Sequence, residues 1–229
     1  MREHDRRIGE MFDRVAPRYD LLNRVLSFGT DLSWRRRALR LARLGAGERA
    51  LDVGAGTGDL TFALLRGSAA DASVVAVDLS PKMLALLRGR ARSVRAEAVL
   101  GSATALPVAD ASVDRVIAGF ALRNFGDALG GLREFRRVLR PGGRAVVLEL
   151  STPPGRLLRT LYRFYFHRVA PRLAVLLGGD PTAYRYLPAS VDRFPGAEGL
   201  ADLFRQAGFR TVRFERLTFG IAAIHVGEP

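Results

Sequence analysis

The chain has 229 residues, 48% hydrophobic and 26% charged, which suits one large soluble domain with a substantial core. It has no cysteine, and this excludes a disulfide framework, a thiolate metal site and any cysteine nucleophile; no metal site is expected. The formal net charge is +13, nearly all of it arginine, since Lys82 is the only lysine. Such an excess attracts polyanions, either nucleic acid or an anionic lipid surface, or else reflects arginine replacing lysine on a solvated face; charge alone does not choose.

The first twenty residues are charged throughout and lack the apolar core of a signal peptide, and no apolar run reaches the ~18 residues of a membrane span. A cytoplasmic protein is therefore expected, with any membrane contact peripheral. Ile8, Met11, Phe12 and Val15 recur at helical spacing and predict a short amphipathic helix ending at Pro17. Asp31 is suited to cap a second helix, with Trp34, Ala38 and Leu41 buried and Arg35, Arg36, Arg37, Arg40 and Arg43 on its outer face. Gly45 and Gly47 then introduce a strand–helix alternation.

Strands are expected at 49–54, 73–78, 95–100, 113–119 and 144–150. Between them lie a helix carrying Leu60, Leu64 and Leu65, a helix opened by Ser80 and Pro81, and a helix capped by Asp127. The last of these turns Ala128, Leu132, Phe135 and Leu139 inward and stops at Pro141-Gly-Gly143. Residues 151–195 break the rhythm. A helix near 197–207 and two strands near 210–217 and 219–226, antiparallel across a short turn, close the chain. The pattern predicts an α/β fold: a doubly wound, Rossmann-like sheet of seven mostly parallel strands, one of them antiparallel. A single domain is expected, comprising N-terminal helices (1–47), a cofactor-binding half (48–150), a helical lid insertion (151–195) and the closing helix and strand pair (196–229).

Ligands in such sheets sit beyond the strand C-termini. There the sequence places Asp52-Val-Gly-Ala-Gly-Thr-Gly-Asp59, with Asp78 nineteen residues further on. Gly54, Gly56 and Gly58 let backbone approach a ligand, and Asp78 ends the next apolar strand, where a carboxylate grips a ribose diol. The dinucleotide form Gly-x-Gly-x-x-Gly does not fit, because position 59 is Asp and position 61 is Thr. The loop resembles motif I of class I methyltransferases, which bind S-adenosylmethionine. In that reading Thr57 belongs to the loop, Leu79 or Met83 packs on adenine, and Ser102 and Ala103 meet its edge. Met83 is equally suited to ordinary helix core. Arg123 and Asn124, just past strand four, either face the transferable methyl, or cap the following helix or pair with a loop carboxylate.

Nearly the whole chain resembles the C-methyltransferases of menaquinone and ubiquinone biosynthesis. The matching stretches include Phe12-Asp-Arg-Val-Ala-Pro-Arg-Tyr-Asp20, Leu122-Arg-Asn124, Tyr184-Arg-Tyr-Leu-Pro188 and Leu217-Thr-Phe-Gly-Ile-Ala-Ala-Ile-His225. The glycine loop is common to a superfamily, whereas the Arg-Asn pair, the Tyr-x-Tyr-Leu segment and the ending are specific to this family. Two departures stand out: Ser102 where the family usually has Asp or Asn, and Gly119 where it often has Ser.

The resemblance implies class I methyltransferase architecture and methyl transfer from S-adenosylmethionine to a ring carbon of demethylmenaquinol, a lipophilic quinol. Arg123 would stabilise the developing quinolate, Asn124 would orient water or substrate, and Tyr19, Tyr165, Tyr184 and Tyr186 would contact the substrate. His167 and His225 are left unassigned. Arg156, Arg159, Arg163 and His167 share one face of a helix before Pro171, with Leu158, Leu161, Tyr162, Tyr165 and Val169 on the other. This helix is either a lid or a helix lying on an anionic membrane surface. Nucleic acid is not expected as substrate, because the covalent route to pyrimidine C5 methylation needs a cysteine and base-stacking aromatics are sparse. Methylation of RNA or of another small aromatic, and a binding module without chemistry, are the rival readings. Whether the chain acts alone or as a homodimer is open.

Overall fold

A computed structural model describes residues 3–91 and 95–229. Seven strands form one sheet in the order β3-β2-β1-β4-β5-β7-β6. They span Arg49–Val53 (β1), Ser73–Asp78 (β2), Ala96–Leu100 (β3), Val113–Gly119 (β4), Leu139–Leu150 (β5), Thr211–Leu217 (β6) and Ala222–Glu228 (β7). The first five pair in parallel, and β7 runs antiparallel to both β5 and β6, giving the one reversed strand expected. Order reverses at β1 and β4, so the crevice beyond their C-terminal ends is the natural ligand position.

Helices cover both faces. One core layer packs Leu132 and Phe135 of α6 (Ala128–Val138) and Phe204 of α10 (Ala197–Gln206) against the sheet. The opposite layer packs Trp34 and Ala38 of α3 (Thr30–Leu41) with Leu60 and Leu64 of α4 (Asp59–Arg66). The helix opened by Ser80 forms as α5 (Pro81–Arg90), the Ser80 hydroxyl accepting the Met83 N–H at 3.0 Å, and Asp127 caps α6 by accepting the Gly130 N–H at 2.8 Å.

Several expectations need correction. The N-terminal helix α1 (Glu3–Val15) does end before Pro17, but a short 3-10 turn then leads directly into another helix, α2 (Tyr19–Leu26). Asp31 does not cap α3. The cap position is Gly29, in the left-handed region at φ 73°, while Asp31 sits buried in the first turn, accepts the Ser27 hydroxyl at 2.8 Å and pairs with Arg35 at 3.5 Å. Arg35 is therefore turned inward rather than outward, four residues from its partner on the buried face. Leu139 belongs to a strand, not a helix: it pairs with Val113, and the exposed Arg140-Pro-Gly segment forms a bulge before pairing resumes at Arg115 and Arg144. Proline and glycine sit there without losing a ladder bond.

The insertion is helical over 156–176 and 181–193, with α7 (Arg156–Phe164), a π-helical turn (Tyr165–Val169), α8 (Ala170–Leu176) and α9 (Pro181–Arg193). Pro171 does not end the helix. It occupies the first turn of α8, where its missing donor does no harm.

Candidate active site

The turn after β1 is shaped by two glycines. Gly54 (φ 71°) donates its N–H to the Val77 carbonyl at 2.8 Å, and a Cβ there would lie 2.4 Å from that of Ala121. Gly56 (φ 56°) donates to the Asp78 carboxylate at 2.8 Å. The other Asp78 oxygen accepts the Ser80 N–H at 2.8 Å. Burial pushes the Asp78 carboxyl above the usual carboxylate range, and the N–H groups of Ser80, Gly56 and Leu79 pull against that. Gly58 leads into α4, and the Thr57 hydroxyl donates to Asp20 on α2 at 2.8 Å. Arg90 donates to the Thr57 carbonyl at 2.9 Å and to Asp59 at 2.8 Å, so α2 is latched onto the loop. Burial, with Asp59 nearby, raises the Asp20 carboxyl.

Gly54 to Thr57, Asp78, Leu79, Met83, Gly101 and Ala103 line one hollow, whereas Gly58 is not on its wall and packs against Phe62 and Leu87. It is narrow, about 70 Å³, because Ile8 and Phe12 of α1 lie over it. Met83 serves both readings, lining the hollow while packing with Val15 and Ala16. Ser102 is not on the wall. Its hydroxyl donates to Asp5 of α1 at 2.8 Å, so at this turn the buried carboxylate comes from the N-terminal helix. Beneath the loop, burial pushes the Asp52 carboxyl up to about 6, against the hydrogen bond it accepts from Thr61 at 2.6 Å.

Beyond β4 the chain leaves the sheet through Phe120, held at φ 59° with its N–H on the Leu148 carbonyl at 2.7 Å. A side chain at Gly119 would have to displace Leu60, whose Cδ1 lies 2.4 Å from the Cβ position. The next turn presents Arg123 and Asn124. Asn124 lines the first hollow, and its buried Oδ1 has no hydrogen-bond partner among the described residues. Arg123 does not stand free: its guanidinium meets Glu149 of β5 at 2.7 Å, and the two side chains are 6% and 1% exposed. Burial pulls the guanidinium pKa down, but Glu149, with Tyr19 and Tyr186, outweighs it and holds Arg123 above its ordinary value. Burial raises the Tyr19 phenol, and Arg123 and Arg35 oppose that rise.

A second cavity of about 380 Å³ adjoins the first, and the two share Tyr19, Arg35 and Phe120. The Arg35 guanidinium lies over the Phe120 ring at 5.2 Å. The walls are mainly apolar, including Trp34, Leu161, Tyr162 and Tyr165, with Asp31 and Arg123 among the few charged groups. Of the four tyrosines assigned to substrate, Tyr19 and Tyr165 line this cavity, the Tyr165 hydroxyl donating to the Leu26 carbonyl at 2.8 Å. Tyr184 and Tyr186 do not; they stand on the far side of Arg123 in a smaller hollow. The two unassigned histidines lie apart, His167 paired with Asp192 at 3.0 Å and His225 buried among Phe204 and Phe214. Sequence reasoning missed Asp5, Arg35, Tyr162 and Glu149.

The model of the ubiE/COQ5 methyltransferase family matches residues 1–228. The chain belongs to this family. It is 50% identical over 220 residues to a demethylmenaquinone methyltransferase of Thermus thermophilus, covering 95% of this chain and 99% of that protein. It is 44% identical over 230 residues to the ubiquinone/menaquinone biosynthesis C-methyltransferase UbiE of Geobacter sulfurreducens, covering 99% and 90%. Among solved structures, an S-adenosylmethionine-dependent methyltransferase from Thermotoga maritima superposes with a TM-score of 0.70 at 20% identity, covering 96% of this chain and 99% of that one. The [4+2]-cyclase SpnF also superposes at 0.70 and 20% identity, covering 98% and 96%. Likeness at that identity shows the class I methyltransferase architecture alone. Among the described residues no helix is long and apolar enough to cross a membrane.

Proposed function

We propose that the chain transfers the methyl of S-adenosylmethionine to a ring carbon of demethylmenaquinol, giving menaquinol in menaquinone biosynthesis. The observation that carries this reading is the meeting of two cavities at Tyr19, Arg35 and Phe120. One is built on a glycine turn with a buried ribose-type carboxylate, and the other is apolar, with the Arg35 guanidinium at the junction and that of Arg123 on its wall. The turn fits a nucleoside: Gly56 has open space where a Cβ would stand, Asp78 is fixed by backbone donors, and the Asn124 Oδ1 is an orphaned buried acceptor. Gly54, Gly56, Thr57, Asp78, Leu79, Met83 and Ala103 would hold the cofactor, Gly58 would shape the turn behind them, and seating the cofactor asks Ile8 and Phe12 to move outward. Ser102 would act through Asp5 rather than by direct contact.

When bound, the cofactor supplies an electrophilic methyl on sulfonium, and the protein contributes placement. A new carbon–carbon bond would form as the carbon–sulfur bond breaks, and the ring carbon would then lose its hydrogen as a proton to solvent water. A phenolic hydroxyl titrates near ~10, so a ring carbon made nucleophilic by its loss needs a stabilised anion. Arg123 meets that need as a fixed donor, having no capacity to act as a base at working pH. Tyr19 and Asn124 orient the ring between Arg123 and the first hollow, and the 151–195 insertion covers the apolar cavity while the β1–β5 half holds the nucleoside.

The test is a labelled-methyl assay with purified chain and demethylmenaquinol, demethylmenaquinone or RNA. Label is expected in menaquinol only. Label on RNA, or none on the reduced quinol, overturns the reading.

A further inference from the structure

The second cavity carries large apolar side chains where its lining reaches solvent. Phe28, Leu161 and Phe219 line the cavity, yet are 76%, 57% and 77% exposed. Leu157 and Phe164 share the Leu161 stripe of α7 at spacings of four and three residues, and are 74% and 63% exposed. Leu176, on α8, is 81% exposed, and α8 packs against α2, which carries Leu21, itself 61% exposed. The Tyr165 hydroxyl ties this segment to the end of α2, and the Tyr165 ring lies 5.7 Å from that of Phe28. So many large apolar side chains gathered about one opening mark an interaction surface rather than scattered exposure.

The charge carried by the segment itself is one-sided, although His167 meets Asp192 of α9. Residues 155–178 hold Arg156, Arg159, Arg163, Arg168 and Arg172 and no carboxylate. Arg159 is turned onto the carbonyls of Pro153 and Pro154, at 3.1 and 2.9 Å, whereas Arg156, Arg163 and Arg168 reach solvent. Apolar anchors flanked by guanidinium groups fit an interface of hydrocarbon bordered by anionic headgroups. A second copy of the same chain would instead oppose this basic segment with another of equal sign.

We propose that the rim formed by the α2–α3 turn, α7, α8 and Phe219 docks on an anionic lipid bilayer, so that the quinol ring enters the cavity from the membrane while its tail stays in the lipid. The passage of the substrate rests on the quinol reading; the docking does not. A cavity of about 380 Å³ takes the ring and the beginning of a tail, and the remainder leaves through the apolar rim.

The test uses the full chain and the variant Leu157→Glu/Phe164→Glu/Leu176→Glu, whose positions lie outside both cavities. Sedimentation with phosphatidylcholine vesicles, with and without phosphatidylglycerol, is expected to show wild-type binding stronger by about tenfold or more on the anionic vesicles, fading with salt. The variant should lose that binding. It should methylate a short-tailed, water-soluble demethylmenaquinol as wild type does, and slow by about tenfold or more on long-tailed substrate held in vesicles. Wild type left in the supernatant at low salt, or a variant that binds equally, overturns the docking face. So does a wild-type dimer in light scattering that the variant dissociates. Vesicle binding without methylation of the soluble quinol would sink the substrate and leave the docking face standing.

Discussion

Removing Glu149 tests whether Arg123 is held as half of a buried pair. In Glu149→Ala the guanidinium keeps its burial but loses its counter-charge 2.7 Å away, and the N–H groups of Arg123 and Leu150 lose the carboxylate they donate to at 3.1 and 2.8 Å. Breaking one side of a buried ion pair costs about 3–5 kcal/mol, against a typical domain stability of about 5–15 kcal/mol. For a chain of this size each kcal/mol moves the midpoint by about 2–4 °C, so melting should fall by about 6–20 °C. The double variant Arg123→Met/Glu149→Leu removes both charges and should melt within a few degrees of wild type, a coupling of about 3 kcal/mol or more by calorimetry. It should still bind S-adenosylhomocysteine, since Arg123 does not line the first hollow, yet lose two to three decades in methyl transfer. Additive single costs would refute the pairing, and an active double variant would refute the role of Arg123.

Two further variants probe the first hollow and the core. Asp78→Asn puts an amide where the N–H groups of Gly56 and Ser80 both need acceptors; S-adenosylhomocysteine binding should weaken by about 10–100-fold in titration calorimetry, and unchanged affinity would detach Asp78 from the cofactor. His225 is 1% exposed, donates Nε2–H to the Ala197 carbonyl at 2.7 Å, and burial lowers its pKa to about 4. The unfolded chain takes up this proton near pH 6.5 and the folded one does not, so the stability His225 contributes is present above 6.5 and lost as pH falls through about 4. The loss is about 1.4 kcal/mol per pH unit at most, and His225→Gln should flatten the melting-temperature slope over that window.

What was legible in the sequence, and what was not, follows from how each signal arises. Central parallel strands are buried on both faces and read as apolar runs, which is why Val74 to Val77 and Ala145 to Leu148 could be placed from composition alone. The glycine turn was legible because its backbone excludes a Cβ at Gly54. Charges drawn inward were not. Arg35 was assigned to solvent because periodicity gives charged residues to the outer face, although Asp31, four residues earlier, was a readable sign of an inward pair. Glu149 offered a similar sign, a lone carboxylate closing the apolar run Val146-Val-Leu. Asp5 offered none, because its meeting with Ser102 joins positions 97 residues apart. Pro141-Gly-Gly143 misled for a physical reason: the same residues that end helices also populate bulges.

The charges lining the two cavities are compensated within the chain, and this bears on the chemistry. Arg35 has Asp31, Arg123 has Glu149, and Asp78 has backbone donors. A methyl donor that is itself cationic is repelled by an uncompensated guanidinium: two like charges ~6 Å apart at an effective dielectric of ~20 repel by about 3 kcal/mol. Pairing Arg123 with Glu149 removes most of that repulsion while leaving directed N–H groups for an oxygen that gains negative charge only as the ring is activated. The Nε of Arg123 is buried and without a partner among the described residues, and on the proposed function it would be such a group. A compensated donor stabilises charge that develops during the reaction more than charge present at rest, and that difference is what lowers a barrier. On the proposed function, Glu149 would shape the reaction without touching the quinol, by letting a fixed guanidinium stand in an apolar site near a cationic methyl donor.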